Sequence, residues 1–383
     1  YKVTGVQTCA LPILIISFIF YIIQTYQNII SCYSFYTNIK KIHNILFKTR
    51  DYILSSINSM NNFYKYSKKY KSYIGFNTDL NHNKNILNNY YKQLIKITDY
   101  KISKEKLLNL GHLMKCFYVL YDNKKLCKAM CYSFGFNGYI DNLSGLKRNI
   151  KNKYINFCKF NNKKCEFKDA YFPSLMYENP IKNSYKLDNH LIITGPNAAG
   201  KTTLLKSSLF NIILSHQMGC GFYTEATIKL YSYIHCYINI PDTSGRDSLF
   251  QAEARRCKEI LQKIQKSKTL GHFCVFDELY SGTNPYEAIG SAYSFIKYLN
   301  TYDNVNFVLT THYTDLCKKL DNEKFINNYH MKILIDTSNN FEYTYKLENG
   351  ISNFRGATKV LKDLEYPDEI LSDMKDIVST LKI

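Results

Sequence analysis

The segment Leu191-Ile192-Ile193-Thr194-Gly195-Pro196-Asn197-Ala198-Ala199-Gly200-Lys201-Thr202-Thr203 constrains the fold of this chain more than any other. A short apolar run enters a glycine turn of the form G-x-x-x-x-G-K-[ST]. Leu204, Leu205, Leu209, Ile212 and Ile213 then recur at helical spacing. That order predicts a buried strand, a tight loop and a helix whose positive end faces the loop. Backbone N–H groups in such a loop can wrap phosphate oxygens. Residues Gly195 to Thr203 are therefore the candidate phosphate-binding loop. Lys201 is placed to neutralise the β- and γ-phosphates, and the Thr202 hydroxyl to ligate Mg²⁺.

A second constellation supports the first. Phe273-Cys274-Val275-Phe276 is an apolar strand that ends on Asp277 and Glu278. An acid at such a tip can hold a Mg²⁺ shell, here Asp277. Its neighbour Glu278 can orient and polarise an attacking water. Another strand, Phe307-Val308-Leu309-Thr310-Thr311, closes on His312, a candidate γ-phosphate sensor. A lone histidine is more often structural, but a strand tip in a phosphate-loop domain favours the functional role.

Charge divides the chain in two. Residues 1–170 carry 27 basic and 8 acidic groups, whereas residues 171–383 carry 23 of each. The change falls near Phe172-Pro173. Only six of the 50 basic residues are arginine, and Lys, Asn, Tyr and Ile abound, as expected from AT-rich codons. The basic half thus reads either as a solvated lysine surface or as a phosphate-binding one. Twelve cysteines without a Cys-x-x-Cys pair suit a reduced, intracellular protein.

Residues 1–13 are set aside, because Val3 to Ile13 reads as the in-frame translation of a sequencing-library adapter; the natural start is then expected elsewhere. From Leu14 to Ile39 no charged residue occurs. Ile19, Ile22, Tyr26, Ile29, Tyr33 and Tyr36 recur at helical spacing and predict a long helix packed along one face. A truncated membrane anchor is the alternative. Helical periodicity continues to residue 165, as in Leu107, Leu108, Leu113 and Met114. Breaks are expected at Asn81-His82-Asn83 and Gly135-Phe136-Asn137-Gly138.

The second half resembles the ATPase domain of the MutS family, within the ABC-type ATPases. The choice rests on Ser244-Gly245-Arg246-Asp247-Ser248-Leu249-Phe250-Gln251-Ala252-Glu253, similar to the family's Ser-x-Phe-x-x-Glu after Ser-Gly-Arg. Gly350-Ile351-Ser352, Gly356 and Leu364-Glu365-Tyr366-Pro367 agree with it. Shorter MutS-type ATPases of large DNA viruses are similar. The resemblance implies an α/β P-loop ABC-type ATPase domain over 171–383, preceded by a basic all-helical region over 14–170. It implies ATP and Mg²⁺ as cofactors and a homodimer in which Ser248 reaches the partner's γ-phosphate. It also implies DNA on the basic half, in repair or recombination. Arg255 and Arg256 either serve that interface or pair with Glu259 on a solvated helix.

Departures from the family pattern matter equally. Its adenine-stacking aromatic falls near Glu178-Asn179-Pro180-Ile181, where Pro180 and Ile181 stand, with Tyr177 or Tyr185 as substitutes. Its glutamine between the loop helix and the next strand corresponds to Thr227. The mismatch-reading domain is not in this chain. A membrane-anchored ATPase and a clamp with negligible turnover are the competing readings. Lys201, Asp277, Glu278 and His312 argue against the latter.

Overall fold

The computed structural model describes residues 7–98, 109–240, 248–335, 341–352, 354, 361–362 and 364–380. It divides the chain into two compact units at Gly145/Leu146. Leu107, Leu108, the Ser244-Gly245-Arg246-Asp247 stretch and Gly356 lie outside the described residues.

The first unit is helical. It contains α1 (Gln7–Ser67), α2 (Ile74–Leu94), α3 (Leu110–Asp122) and the larger part of α4 (Lys124–Lys151). Its core begins partway along α1, where Ile39, Leu46, Ile53 and Met60 are buried at a spacing that returns to the same helix face. Leu80, Leu87 and Leu94 do the same on α2, and Leu113, Cys116, Leu126, Ala129 and Phe136 complete the cluster. The expectation of one packed face thus holds only from Ile39 onward. Ile19, Ile22, Tyr26, Ile29, Tyr33 and Tyr36 are all exposed, because the described partners of α1 lie against its later turns. Pro12–Ser67 passes a length and composition test for a membrane-crossing helix, with none of its apolar window buried.

The two expected breaks are absent. Asn81-His82-Asn83 lies inside α2 and Gly135-Phe136-Asn137-Gly138 inside α4. Packing overrides local propensity here. The ring of Phe136 sits in the core against Phe63, and Asn137 donates to the hydroxyls of Ser56 (2.8 Å) and Tyr52 (3.1 Å).

The second unit is α/β. The helical reading to residue 165 runs too far, because α4 is followed by β1 (Asn156–Phe157), β2 (Lys159–Phe160) and β3 (Glu166–Ala170). These short strands pair with β6 (Cys220–Gly221) and β7 (Glu225–Ile228), and β3 also with β4 (Asn183–Lys186). The segment belongs with the second unit because its backbone groups find partners beyond the glycine loop. The charge step near Phe172 therefore falls inside that unit.

The main sheet is built from β5 (His190–Thr194), β8 (Tyr233–Tyr237), β9 (His272–Asp277), β10 (Val305–Thr311), β11 (Ile326–Ile335) and β12 (Phe341–Asn349). Their order across the sheet is β12-β11-β5-β10-β9-β8. All neighbours are parallel except β11 and β12. Parallel strands covered on both faces read as continuous apolar runs, as β5, β9 and β10 do. Successive side chains nevertheless serve opposite layers. Phe273, Val275 and Val308 join a core with α5 (Lys201–Met218), whereas Cys274, Phe276, Phe307 and Leu309 pack on the other face. That second face holds α6 (Leu249–Lys266), α7 (Pro285–Leu299) and α8 (Thr314–Leu320). The last described helix is α9 (Asp368–Thr380).

Candidate nucleotide site

The glycine loop joins β5 to α5. Gly195 (φ 149°) and Gly200 (φ 96°) take positive φ, which only glycine adopts readily. At Gly200 a Cβ would also stand 3.1 Å from the Tyr345 ring. Ala198 shares the left-handed region at φ 64° without being glycine. Ala199 is buried under the turn, and its N–H donates to the Pro196 carbonyl (3.4 Å). The Lys201 side chain is 5% exposed, and its ammonium donates to the carbonyls of Gly195 (2.8 Å) and Pro196 (3.1 Å). Burial pushes its pKa down, and Glu278 and Asp277 partly offset this.

Parallel register brings the other predicted residues to the same end. Thr310 pairs with Asp277 and Thr311 with Thr194, so the tips of β5, β9 and β10 are level. The Thr202 hydroxyl lies 3.0 Å from each Asp277 carboxylate oxygen. Thr310 Oγ1 donates to the same carboxylate, holding it from the sheet side. Glu278 Oε1 sits 3.6 Å from Lys201 Nζ and 3.6 Å from His312 Nδ1. The His312 imidazole holds the Glu278 carboxyl below its ordinary pKa, Lys201 adding to this and burial opposing it.

Two Mg²⁺ ligands at right angles and about 2.1 Å from the ion lie about 3.0 Å apart. The Thr202 hydroxyl and the Asp277 carboxylate stand at this spacing through their hydrogen bond, and both are the oxygen donors that Mg²⁺ takes. Beside them opens a cleft of about 610 Å³. Asn197, Ala198, Gly200, Lys201, Thr202, Thr203 and Glu278 line it. Pro180, Ile181 and Tyr345 line it too.

The substitutes for the family's adenine platform fall elsewhere. Tyr185 is buried, with its hydroxyl 2.8 Å from that of Ser208. Tyr177 is exposed, stands edge-to-face with Tyr154 and is not among the residues that line the cleft. Sequence reasoning missed Tyr345, which β12 carries to the loop from the far end of the domain; no local motif marks it. Thr227 lies on β7 in the small sheet, opposite Glu166 and Lys159, and does not line the cleft. The strand that ends beside Asp277 is β8, where Tyr237 pairs with Phe276.

Ser248 caps α6. Its hydroxyl accepts from the Gln251 N–H (3.3 Å) and the Gln251 side chain accepts from the Ser248 N–H (3.0 Å). Arg256 pairs with Glu259 (3.1 Å), the partner the solvated-helix reading names, but it also donates to the part-buried Cys236 carbonyl (3.0 Å). Ser352, from the tail, is buried and its N–H donates to the Thr194 hydroxyl (2.8 Å), fastening the tail beside the loop. Asn211 on α5 went unremarked in the sequence. It is fully buried and bridges the carbonyls of Tyr171 (3.2 Å) and Phe222 (3.4 Å), so it fixes the helix behind the loop.

A family model described as MutS domain V matches residues 191–382. The endonuclease MutS2 of Finegoldia magna is 28% identical over 216 residues, 56% of this chain and 27% of that protein. The DNA mismatch repair protein MutS of Parabacteroides distasonis is 29% identical over 253 residues, 63% of this chain and 28% of that protein. That of Leuconostoc mesenteroides is 27% identical over 207 residues, 53% and 24% of the two chains. This chain therefore spans about a quarter of the length of these relatives. A match that begins on the strand before the glycine loop and takes in every residue gathered at its tip leaves one assignment: the chain belongs to the MutS family, through a domain V at residues 191–382.

Proposed function

We propose that this chain binds and hydrolyses ATP with Mg²⁺, as an ABC-type P-loop ATPase that works as a dimer on DNA. The observation that carries the reading is the convergence of Lys201, Thr202, Asp277, Glu278 and His312 at one end of the sheet. The loop N–H groups and Lys201 bind the phosphates; bound Mg²⁺ supplies charge neutralisation on them. Thr202 and Asp277 would hold that ion. Glu278, kept ionised by His312 and Lys201, accepts a proton from the attacking water, and His312 stays beside it as a donor. Tyr345 and Ile181 line the same cleft and offer apolar surface to a base.

Ser248 and the α6 N-terminus are assigned to the nucleotide of a second copy, because Ser248 is exposed and does not line its own cleft. The basic helical half is assigned to DNA phosphates. Two named relatives act in mismatch repair and one is an endonuclease, but neither mismatch recognition nor nucleolysis is proposed for this chain. A DNA partner implies an intracellular location.

Replacing Glu278 by Gln tests the core of this reading. Turnover should fall about 10²-fold or more, the range of a positioned general base, while ATP binding persists. Hydrolysis at the parent rate would refute the assignment. Binding of the parent to duplex DNA should weaken steeply with salt if phosphates are its target. A salt-independent or absent signal would remove DNA from the proposal.

A further inference from the structure

The turn after β9 is held in an unfavourable shape. Glu278 has φ 52° and Tyr280 has φ 57°, both in the left-handed region that side chains disfavour. That backbone is what turns the Glu278 carboxylate back toward Lys201 and His312. Something outside the turn must hold it.

Glu253, on the second turn of α6, is placed to do so. It is 2% exposed. Its Oε1 accepts from the N–H (3.2 Å) and hydroxyl (2.9 Å) of Ser281, and its Oε2 accepts from the Gly282 N–H (3.1 Å). A buried carboxylate is costly unless its oxygens are satisfied, and here the turn satisfies them. The Tyr237 hydroxyl accepts from the Tyr280 N–H (3.2 Å), closing the other side. Gly282 completes the joint: a Cβ there would stand 2.8 Å from the Phe250 nitrogen and 2.7 Å from Leu249 Cγ. The turn and the first turn of α6 are in direct contact.

We propose that Glu253 is a positioning residue for Glu278, clamping the 278–282 turn to the start of α6 that carries Ser248. The inference rests on the ATPase reading above and deepens it. Glu253 touches no reacting atom. It fixes the carboxylate that does, and it makes the Ser248 end of α6 and the general base move together.

The test is E253Q in the full chain, beside E278Q and the double variant. An amide can accept at one position only and turns a donor toward the remaining N–H, so the clamp is broken with little change in shape. The crystal structure of E253Q should show Glu278 withdrawn from Lys201 and His312 with the Thr202–Asp277 contact intact. Turnover should fall about 10- to 100-fold, as for a misplaced reacting group, with ATP affinity unchanged. In the E278Q background E253Q should add nothing, because the two act as one unit. S281A, which deletes one bond and keeps the carboxylate, should shift Glu278 in the same direction to a smaller degree. An unmoved Glu278, or an equal loss in both backgrounds, would overturn the proposal. A parent that binds ATP without hydrolysing it would sink the ATPase reading instead, and the crystal comparison would still decide on Glu253.

Discussion

Two glycines of the second unit predict opposite responses to one substitution. At Gly282 an added methyl meets Leu249 Cγ at 2.7 Å, Phe250 N at 2.8 Å and Leu249 Cβ at 2.9 Å. One of the three is backbone at the start of α6, so no side-chain rotation removes the clash. Overpacking of this kind costs about 1–3 kcal/mol. The loss of unfolded-state freedom returns about 0.4–1 kcal/mol. Gly282→Ala should therefore destabilise by about 1.3 kcal/mol at the middle of these ranges, or lower the melting temperature by about 3–5 °C for a unit of this size. Gly290 sits inside α7, exposed, with nothing within 4 Å of its would-be Cβ. There alanine should stabilise by about 0.5–1 kcal/mol through helix propensity alone.

The chain lacks tryptophan, so the pair is best followed by circular dichroism in urea, against the parent and each other. Comparing variants of one unit cancels the contribution of the helical unit to the signal. The separation between them should be about 2 kcal/mol. Gly282→Ala should also slow ATP turnover, because the displaced backbone leads directly to Glu278, and Gly290→Ala should not. If Gly282→Ala proves as stable as Gly290→Ala, the joint between α6 and the 278–282 turn is looser than argued, and the clamp loses its basis.

The glycine loop, the acidic strand and the histidine strand were legible because each carries its chemistry in consecutive residues. The structure brings Lys201, Thr202, Asp277, Glu278 and His312 together. What escaped was supplied by distant chain. Tyr345 reaches the cleft only because β12 folds against β11, which pairs with β5. The contact of Glu253 with the 278–282 turn depends on the approach of α6, so the glutamate of the signature could be noted but its contact could not. In the helical half, the period of the apolar residues was visible, but not which turns would find partners: α1 is covered from Ile39 and exposed before it. The glycines of α4 misled because a buried phenylalanine and a bonded asparagine between them stabilise helix where propensity alone predicts a break.

The remaining expectations concern pH. Burial pushes His190 and His235 down to about 4, so both stay neutral in the folded unit at values where the unfolded chain, near 6.5, takes up protons. Stability should accordingly be full above about pH 6.5 and decline toward pH 4. His190→Gln should flatten part of that slope in urea midpoints measured between those limits, and an unchanged slope would contradict the burial argument. Glu278 acts at lower pH. Its folded pKa lies below the ordinary value of about 4.3, so its ion pairing persists above that pH and is lost only as pH falls further. An acid limb in turnover near pH 6 would have to arise elsewhere, and its survival in a Glu278→Asp variant would show that.

The alignment of the site follows from the choice the core makes among registers. In β9, Phe273 and Val275 serve the α5 layer while Cys274 and Phe276 serve the opposite one; Val308 and its neighbours Phe307 and Leu309 divide the same way in β10. A slip of one residue between these strands would send the side chains of one of them to the wrong layer, exchanging Phe273 and Val275 for Cys274 and Phe276, or Val308 for Phe307 and Leu309. The observed pairing of Val275 with Val308 and Phe276 with Leu309 avoids this. The same pairing, continued one step, sets Asp277 opposite Thr310, whose hydroxyl holds the carboxylate. On the other side Leu309 pairs with Ile192, and two steps on Thr311 pairs with Thr194 at the mouth of the loop. The polar tips are thus placed by apolar residues that touch no nucleotide. A core substitution that tolerated a shifted register would dismantle the site without altering one of its residues.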